Sequence, residues 1–437
     1  MTSREIDLPA IPAHWTMLPI KFIGQLVTGG TPATTGEQQH FADGGDDSFP
    51  WFRPEDLDAT GKPSVASRHL SESGWAAVPH LTPPSVHVVS IGATLGKIGY
   101  VDQLAASNQQ INAIVGAQCP KFVYFALIAS QDRIRASSMG NTLPIISAGR
   151  LGAVKLPVPP QDEQKAIVEF LEHETSKIDA LIAKQEQLIA TLREDRTATI
   201  THAVTKGLDP DTEMKDSGVE WLGDEPRRWM TSRLKNVIHS IESGTSVNAG
   251  DWPAGADDVA VLKTSCVSAG WFNPAANKTV VDQNEIDRTT CPVKADSLIV
   301  NRANTPLLVG SAGYAESGRP NLFLSDKLWQ VRFNGASARF IYYWTQTEVY
   351  RSQIVAMCVG ASSSMQNLAM TDFRNVAIAL PPMDEQVAIA RFLSTRTDTI
   401  DDLIGKSTGV IEALREYRAA LITDAVTGKI DVRGAVA

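Results

Sequence analysis

Cysteine is scarce in this chain of 437 residues. The four cysteines stand far apart in the sequence, at Cys119, Cys266, Cys291 and Cys358. No two of them form a CxxC pair, and no HExxH motif occurs, which argues against a disulfide framework and against a zinc site. We therefore predict no metal site in this chain and cysteines that take no part in chemistry.

Long apolar runs are also missing. No stretch approaches the ~18 apolar residues that a membrane-spanning helix needs, and the first ten residues hold no apolar segment of the signal-peptide type. Hydrophobic residues make up 43% of the chain, which is enough for sizeable cores. A length of 437 residues favours two or more domains. The expected protein is multi-domain, cytoplasmic and without a membrane partner.

Motifs that would indicate catalysis are incomplete or absent. GATLGK at 92–97 has one residue too few between its glycines for a phosphate-binding loop. PDTEMK at 210–215 places its two acids too close in sequence for the metal site of a nuclease. No GxSxG, GxGxxG or (N/D)PP(Y/F) motif occurs. The sequence therefore predicts no catalytic residues.

The net charge of −9 is unevenly distributed. Residues 161–209 hold 6 Lys and Arg against 10 Asp and Glu, and residues 381–437 hold 7 against 9, so these two segments carry −6 of the total. A negative chain disfavours nucleic acid as a partner when the total is taken alone. The long stretches outside these segments are nearly neutral, so each can still present a basic surface.

A duplication organises the chain. Residues 162–209 and 384–431 are identical at 25 of 48 positions when offset by 222. Weaker similarity extends outward, as between GKIGYVD at 96–102 and GSAGYAE at 310–316. Such repeats indicate two copies of one structural unit. We predict variable domains at 1–158 and 210–380, the latter with its linker, and conserved helical spacers at 159–209 and 381–437.

Each conserved segment has the pattern of a helical spacer. A proline pair and two acids suit a helix start, and Thr175 and Thr397 are predicted to cap a second helix of about 29 residues, ~44 Å long. Apolar residues recur at spacings of three, four and seven, which predicts that the two long helices pack antiparallel. Packing within each half is the alternative. The predicted packing residues are Ile178, Leu181, Ile182, Ile189, Leu192, Ile400, Leu403, Ile404, Ile411 and Leu414.

The variable domains have a different pattern. Short β-branched runs, such as SVHVVS at 85–90 and DSLIVN at 296–301, alternate with turns rich in Gly, Pro and Ser. The expected fold class is α+β, with two mixed α/β domains and a pair of long antiparallel helices related by an internal pseudo-twofold duplication.

Several motifs resemble one known family. The repeated PPxDEQxAI motif and the TxAVT ending are similar to conserved regions of type I restriction–modification specificity subunits. So are SGVEWLGDEPRRW at 217–229 and GASSSMQNL at 360–368. The resemblance covers essentially the whole chain, and it includes the doubled architecture.

The resemblance implies a function without catalysis in this chain. Two target-recognition domains would each read one half-site of an asymmetric, bipartite target in double-stranded DNA. Two modification subunits would methylate adenine with S-adenosylmethionine, and restriction subunits would translocate and cleave DNA with ATP and magnesium. The helical spacer would set the gap between half-sites, which recur on one DNA face every ~34–36 Å.

Arg, Lys, Asn and Gln in turns are the natural readers of bases and phosphates. The candidates in the first domain are Arg53, Lys97, Asn108, Gln109, Gln110 and Asn141. The candidates in the second domain are Lys263, Arg302, Asn304, Lys327, Gln366 and Asn367. For the subunit interface we predict Gln164, Phe170, Leu171, Gln386, Phe392 and Leu393.

Two other functions stay open at this point. The chain could be a coiled-coil structural adaptor that does not recognise DNA, which its acidic composition favours. It could also be a stand-alone DNA-cleaving enzyme, which would require a metal-binding carboxylate cluster that the sequence does not reveal.

Overall fold

The computed structural model describes residues 11–33, 37–45, 47–58, 60–140, 143–255, 257–358 and 365–433. The chain divides into two compact units. Unit 1 comprises residues 1–187 and 407–437, and unit 2 comprises residues 188–406. Each unit therefore contains one variable domain together with part of each helical repeat.

Unit 1 is a mixed domain of short strands and helices. Its strands are β1 (Thr16–Pro19), β2 (Gln25–Thr28), β3 (Phe41–Ala42), β4 (Phe49–Phe52), β5 (Arg68–Leu70), β6 (Ser85–Val89), β7 (Ile98–Val101), β8 (Ala106–Ser107), β9 (Ile111–Val115) and β10 (Lys155–Val158). Its helices are α1 (Glu37–His40), α2 (Glu72–Ala76), α3 (Pro120–Ile128), α4 (Gln131–Ala136), α5 (Ala148–Ala153) and the first part of α6 (Gln161–Lys206). The 3₁₀ turns are Ile20–Phe22 and Pro54–Asp56.

Unit 2 repeats this organisation. Its strands are β11 (Met214–Asp216), β12 (Asp224–Pro226), β13 (Met230–Arg233), β14 (Ile238–Ser243), β15 (Ala260–Leu262), β16 (Asn277–Thr279), β17 (Pro292–Val293), β18 (Ser297–Asn301), β19 (Ala303–Asn304), β20 (Ala312–Ala315), β21 (Arg319–Phe323), β22 (Leu328–Phe333), β23 (Gln366–Asn367) and β24 (Ala377–Leu380). Its helices are α7 (Gln283–Asp287), α8 (Ala338–Trp344), α9 (Glu348–Met357), α10 (Met370–Asn375) and the first part of α11 (Met383–Val426). The 3₁₀ turns are Leu234–Asn236 and Thr264–Val267.

The two units share the strand order of their first sheet and three strands of their second sheet. Unit 1 has an antiparallel sheet β2-β9-β6-β7 and a second sheet β3-β5-β4-β8, and unit 2 has β14-β22-β18-β20 and β16-β15-β21-β17. In each second sheet one pair is parallel, β4 with β8 and β15 with β21. The strands β6, β9 and β18 are buried along their whole length, as their apolar runs predict for central strands. The predicted fold class and the duplication are confirmed.

A short antiparallel strand pair ties each domain to its long helix. β1 pairs with β10 and β13 pairs with β24, so the strand that opens each domain lies beside the strand that leads into the helix. A tryptophan at each site fixes the helix start. Trp15 Nε1 donates to Glu163 Oε2 at 2.9 Å, and Trp229 Nε1 donates to Glu385 Oε1 at 2.9 Å. Because Glu163 and Glu385 are 222 positions apart, this is one contact made twice.

The long helices are continuous, with 46 residues in α6 and 44 in α11. The predicted second helix starting at Thr175 or Thr397 is therefore wrong. Thr175 donates its hydroxyl to Leu171 O at 2.6 Å, and Thr397 donates to Leu393 O at 2.8 Å. A threonine inside a helix can bond the carbonyl four residues earlier in this way, so its presence does not mark a helix start.

Within each unit the helical segments pack antiparallel. In unit 1, Arg418 Nε lies 3.0 Å from Asp179 Oδ1 and Arg415 Nη2 lies 3.2 Å from Glu186 Oε1. The residue numbers rise on α6 as they fall on α11, so the two helices run in opposite directions. In unit 2, Arg196 pairs with Asp401 at 3.3 Å.

The Arg196 and Arg418 ion pairs are equivalent contacts. Arg196 and Arg418 are 222 residues apart, and so are their partners Asp401 and Asp179. Each pair joins one repeat to the other inside its own unit. The duplicated segments thus make the same cross-repeat contact twice, once inside each unit.

The predicted packing stripe is partly buried. Ile178, Ile189, Ile400 and Ile411 are buried, and four of the other predicted residues are partly buried: Ile182, Leu192, Ile404 and Leu414. The prediction is wrong for Leu181 and Leu403, which are 48% and 43% exposed. An antiparallel pair of straight helices covers a narrow seam, so apolar residues one position off the seam stay in solvent.

Candidate nucleic-acid interface

Several loops of unit 1 meet at one side of its sheets. Gly30 N donates to Ser107 O at 2.8 Å, which joins the loop after β2 to the end of β8. Asn108 N donates to Phe52 O at 2.9 Å, which joins the loop after β8 to the end of β4, just before the 3₁₀ turn. The β6–β7 loop joins them, because Ser90 N donates to a carbonyl of the β8–β9 loop at 2.7 Å. We call this surface loop edge 1, comprising residues 29–31, 53–56, 90–97, 107–110 and 143–146.

Loop edge 1 brings together most of the first-domain candidates. Arg53 precedes the 3₁₀ turn and contacts Glu55 at 2.9 Å. Lys97 Nζ donates to Pro54 O at 2.9 Å, so this ammonium holds the same turn in place. Gln109 is exposed. The remaining candidate, Asn141, lies outside the described residues.

Asn108 is a correction to the predicted readers. Its side chain is buried, with a residue exposure of 7%. Asn108 Nδ2 donates to Gln110 Oε1 at 2.9 Å, and Asn108 Oδ1 accepts from Gln110 N at 3.1 Å. Both ends of the amide are therefore used inside the loop. Asn108 positions Gln110 and cannot itself reach a base.

The second domain gathers its candidates in the same way. Arg302 N donates to Lys327 O at 3.0 Å, and β19 pairs with β23 so that Asn304 lies opposite Gln366. Asn367 is exposed beside them. We call this surface loop edge 2, comprising residues 263–266, 302–310, 325–327 and 365–368.

Lys263 lies at the border of loop edge 2. It precedes the 3₁₀ turn Thr264–Val267, and Thr264 O accepts from Asn301 Nδ2 at 3.4 Å. Its Nζ lies 3.3 Å from Asp251 Oδ1. Lys263 thus occupies the same place in unit 2 as Arg53 in unit 1, one residue before the turn that follows the parallel strand.

Equivalent backbone hydrogen bonds align the two edges residue by residue. Ser90 N donates to Gln110 O in unit 1, and Arg302 N donates to Lys327 O in unit 2. Ser90 O and Arg302 O each accept from the N–H of the strand-like segment that follows the helices, at 2.9 and 2.8 Å. These hydrogen bonds are therefore common to the two edges, although the β6–β7 loop has 8 residues and the β18–β20 connection has 10.

The side chains on this shared backbone differ. The equivalent pairs are Ser90 and Arg302, Gly92 and Asn304, Gln109 and Asp326, and Gln110 and Lys327. At two of these pairs, Gln109 with Asp326 and Gln110 with Lys327, edge 1 has an amide where edge 2 has a charged group. Asp326 could not be singled out from the sequence, because only the hydrogen-bond pattern aligns these loops. The Ser90 side chain is buried and its hydroxyl donates to Val88 O and accepts from Asn112 Nδ2, so it faces the domain.

Buried polar side-chain atoms without a hydrogen-bond partner occur on these edges as well as elsewhere in the two units. Among the described residues, such atoms include Arg53 Nε and Ser107 Oγ on edge 1 and Ser325 Oγ and Gln366 Oε1 on edge 2. An unpartnered buried polar group costs about 1–3 kcal/mol, so folded proteins keep few of them. On the loop edges, water or a ligand can supply the missing partner.

Exposed apolar side chains lie on or beside the same edges. Met139, Leu143 and Ile145 are exposed next to the β6–β7 loop, and Ile145 bridges Ile91. On edge 2, Leu307 is 85% exposed. Apolar groups beside amides and cations suit a DNA major groove, where thymine methyl groups alternate with polar base edges.

Four of the predicted subunit-interface residues are wrong. Gln164 Nε2 donates to Pro159 O at 2.9 Å, and Gln386 Nε2 donates to Pro381 O at 2.9 Å. Both glutamines and the predicted Leu171 and Leu393 are buried inside their own units. Their side chains face the start of the helix or the domain core, so they cannot contact another subunit. Phe392, 44% exposed, and Phe170, partly buried, stay predictions.

The cysteines sit in environments unsuited to nucleophilic chemistry. Burial raises the pKa of the Cys266 thiol to about 12, and burial together with the nearby Glu242 carboxylate raises the pKa of Cys291 to about 12. In the ranges that the structure describes, no group of three or more His, Cys, Asp and Glu side chains could hold a metal ion. No described helix is long and apolar enough to cross a membrane.

The family of the chain follows from a comparison with known domains. The family model for the type I restriction modification DNA specificity domain matches residues 12–191 and matches again at residues 226–413. The chain therefore belongs to the type I restriction–modification DNA specificity family, as a specificity subunit with two target-recognition domains. The family predicted from the repeated motifs is confirmed.

Individual relatives agree over most of the chain. The EcoKI specificity subunit of Escherichia coli K12 is 23% identical over 439 residues, covering 93% of this chain and 88% of that protein. The MjaVIII specificity subunit of Methanocaldococcus jannaschii is 22% identical over 346 residues, covering 78% and 76%. A solved chain from work on complex assembly and conformational transition of the type I R-M system shares the fold, with a TM-score of 0.70, 14% identity and coverage of 96% and 99%.

Proposed function

We propose that this chain selects a bipartite, asymmetric DNA target, with loop edge 1 reading one half-site and loop edge 2 reading the other. The observation that carries this proposal is the backbone hydrogen-bond pattern that the two edges share, combined with their different side chains. A shared hydrogen-bond pattern would place the aligned positions equivalently against DNA. Unequal side chains then select different bases, so the two half-sites differ.

The chemistry of each edge suggests what it reads. A glutamine amide pairs well with adenine N6 and N7, so Gln110, held by Asn108, suits adenine. An arginine or lysine pairs well with guanine O6 and N7. Arg302 and Lys327 suit guanine or neighbouring phosphates, and Arg302 is already oriented by the bond from its Nε to Asp326 O at 2.7 Å.

The proposal extends to the partners of a specificity subunit. Two modification subunits would methylate adenine with S-adenosylmethionine, and restriction subunits would use ATP and magnesium for translocation and cleavage in the cytoplasm. This chain would supply recognition and no catalytic group. The exposed Phe392, beside Val387 and Arg391 on the solvent side of α11, is the best-placed contact for a modification subunit.

The experiment that tests this function is a methylation map of the host genome by long-read sequencing. Cells with the gene, cells without it and cells carrying Gln110→Ala or Lys327→Ala would be compared. Deletion should remove one bipartite adenine-methylated motif. Gln110→Ala should relax only the half-site read by unit 1, and Lys327→Ala should weaken or relax only the other, because a lost base contact costs about 1–3 kcal/mol.

The two substitutions serve as controls for each other, since they change equivalent positions. Exchange of residues 10–158 for those of another family member should likewise alter one half-site. A single substitution that changed both half-sites would contradict the division of labour. Retention of every methylated motif after deletion, together with DNA binding that does not respond to salt, would favour the adaptor function instead.

A further inference from the structure

One carboxylate lies within the cationic part of loop edge 2. Asp326 directly precedes Lys327, and its main-chain oxygen accepts from Arg302 Nε at 2.7 Å. The side chain of Asp326 is partly exposed. Within the described residues its carboxylate makes neither a hydrogen bond nor an ion pair. The backbone of Asp326 is therefore fixed while its carboxylate stays available to a ligand.

This carboxylate is costly on a surface that meets DNA. Phosphates repel it, and the neighbouring guanidinium of Arg302 binds the main-chain oxygen of Asp326 through Nε. At the equivalent place on loop edge 1 the chain has Gln109, which is neutral. A hydrogen-bond donor on the DNA would offset this repulsion at Asp326.

The chemistry of a carboxylate restricts that partner. An ionised carboxylate only accepts hydrogen bonds. In the major groove the amino groups of cytosine and adenine are the donors, and an Asp or Glu side chain pairs with cytosine N4. The thymine O4 and guanine O6 acceptors would be rejected by repulsion, which adds discrimination against the wrong base.

We propose that Asp326 is a specificity-determining residue that accepts a hydrogen bond from the amino group of a cytosine in the half-site read by unit 2. This inference rests on the proposed function, because it assigns one position of the target that loop edge 2 reads. It requires cytosine at one position of that half-site on the strand that faces Asp326.

The test uses the complete complex in cells, with methylation maps for the wild type, Asp326→Ala, Asp326→Asn and the control Glu220→Ala. Glu220 is exposed in unit 2 outside loop edge 2, so its substitution removes the same charge without touching the edge. Asp326→Ala should make one cytosine position degenerate, with a loss of discrimination of roughly 5- to 150-fold. Asp326→Asn should admit adenine there, because asparagine pairs with adenine N6 and N7.

A binding measurement keeps the test decisive if Asp326→Ala lowers methylation as a whole. The dissociation constant of the purified complex would be measured on the target duplex and on a duplex whose cytosine lacks the N4 amino group. The wild type should lose affinity on the altered duplex by roughly 5- to 150-fold, whereas Asp326→Ala should bind both equally.

Two results would overturn the inference. One is a methylation map in which Asp326→Ala keeps the wild-type motif at every position, or in which Asp326→Ala relaxes the motif at a base other than cytosine. The other is an equal response of wild type and Asp326→Ala to the altered duplex. A wild-type complex that methylates no bipartite motif would instead refute the proposed function, and this inference with it, so the two failures are distinguishable.

Discussion

Ile200 offers a sharp test of how the repeats contribute to the cores. It belongs to the first repeat, yet it is 1% exposed and lies in the hydrophobic core of unit 2 together with Leu393. Its counterpart Ile422 belongs to the second repeat, is fully buried and lies in the core of unit 1 together with Leu171. We predict that Ile200→Ala loosens unit 2 and that Ile422→Ala loosens unit 1.

The magnitude follows from the burial. Replacing a fully buried isoleucine by alanine removes apolar contacts and leaves a cavity, which costs about 2–5 kcal/mol. A domain has a total stability of about 5–15 kcal/mol, so each variant should still fold. The cost should appear as faster hydrogen exchange throughout the affected unit, since core amides exchange through large-scale opening.

Hydrogen exchange followed by mass spectrometry measures this directly. Peptides from β6 report on unit 1 and peptides from β22 report on unit 2. Ile200→Ala should deprotect β22 and leave β6 unchanged, and Ile422→Ala should do the reverse. The control is Leu181→Ala, which changes an exposed residue of α6. It should change the free energy of opening of neither unit by more than about 0.5 kcal/mol. Deprotection of β6 by Ile200→Ala, with β22 unaffected, would refute this assignment of the helices to cores.

Two further predictions concern an ion pair and a helix interior. Both oxygens of the Glu242 carboxylate accept a hydrogen bond from Lys294 Nζ at 2.7 Å, and this lowers the pKa of Glu242. The pair therefore stabilises the fold above the ordinary carboxyl pKa. This contribution is lost as the pH falls from the ordinary carboxyl pKa through the lowered pKa of Glu242. Thermal unfolding from pH 6 to 3.5 should show Glu242→Gln less stable at pH 6 and the difference shrinking towards pH 3.5, and a constant difference would contradict this. Gly409 is exposed inside α11, and a Cβ there would meet nothing within 4 Å. Gly409→Ala should stabilise the protein by about 1 kcal/mol in the same unfolding assay, whereas a lower melting temperature would show an unrecognised need for glycine.

The duplication could be predicted from the sequence because the two repeats share many identical residues. The mixed domains could be predicted because strand-forming runs alternate with turns. The assignment of each helix end to a core could not be predicted. Apolar spacing indicates which face of a helix is buried, but it does not identify the partner. Ile178 and Ile200 share one stripe on α6, yet they lie in different units.

The candidate site was predicted only in part for a related physical reason. Residue type indicates that Asn108, Gln109 and Gln110 can read bases, since all three carry amides in one turn. It does not show that both ends of the Asn108 amide form hydrogen bonds with Gln110. The same limit explains the errors at Gln164 and Gln386, whose amides bind carbonyls at the start of each long helix. A polar side chain in a turn, or in the first turn of a helix, forms its hydrogen bonds either with the chain itself or with a ligand. Only the structure shows which of the two is the partner.

The distribution of identity between the repeats has a physical explanation. Each unit builds its core from segments of both repeats, as Ile200 with Leu393 in unit 2 and Ile422 with Leu171 in unit 1 illustrate. A change in one helical segment must therefore fit partners in the other, which keeps the two alike. The aligned positions of the loop edges are joined by backbone hydrogen bonds, and these do not depend on side-chain identity. Side chains such as Gln110 and Lys327 can consequently differ without repacking a core, so target choice can change while the scaffold stays the same.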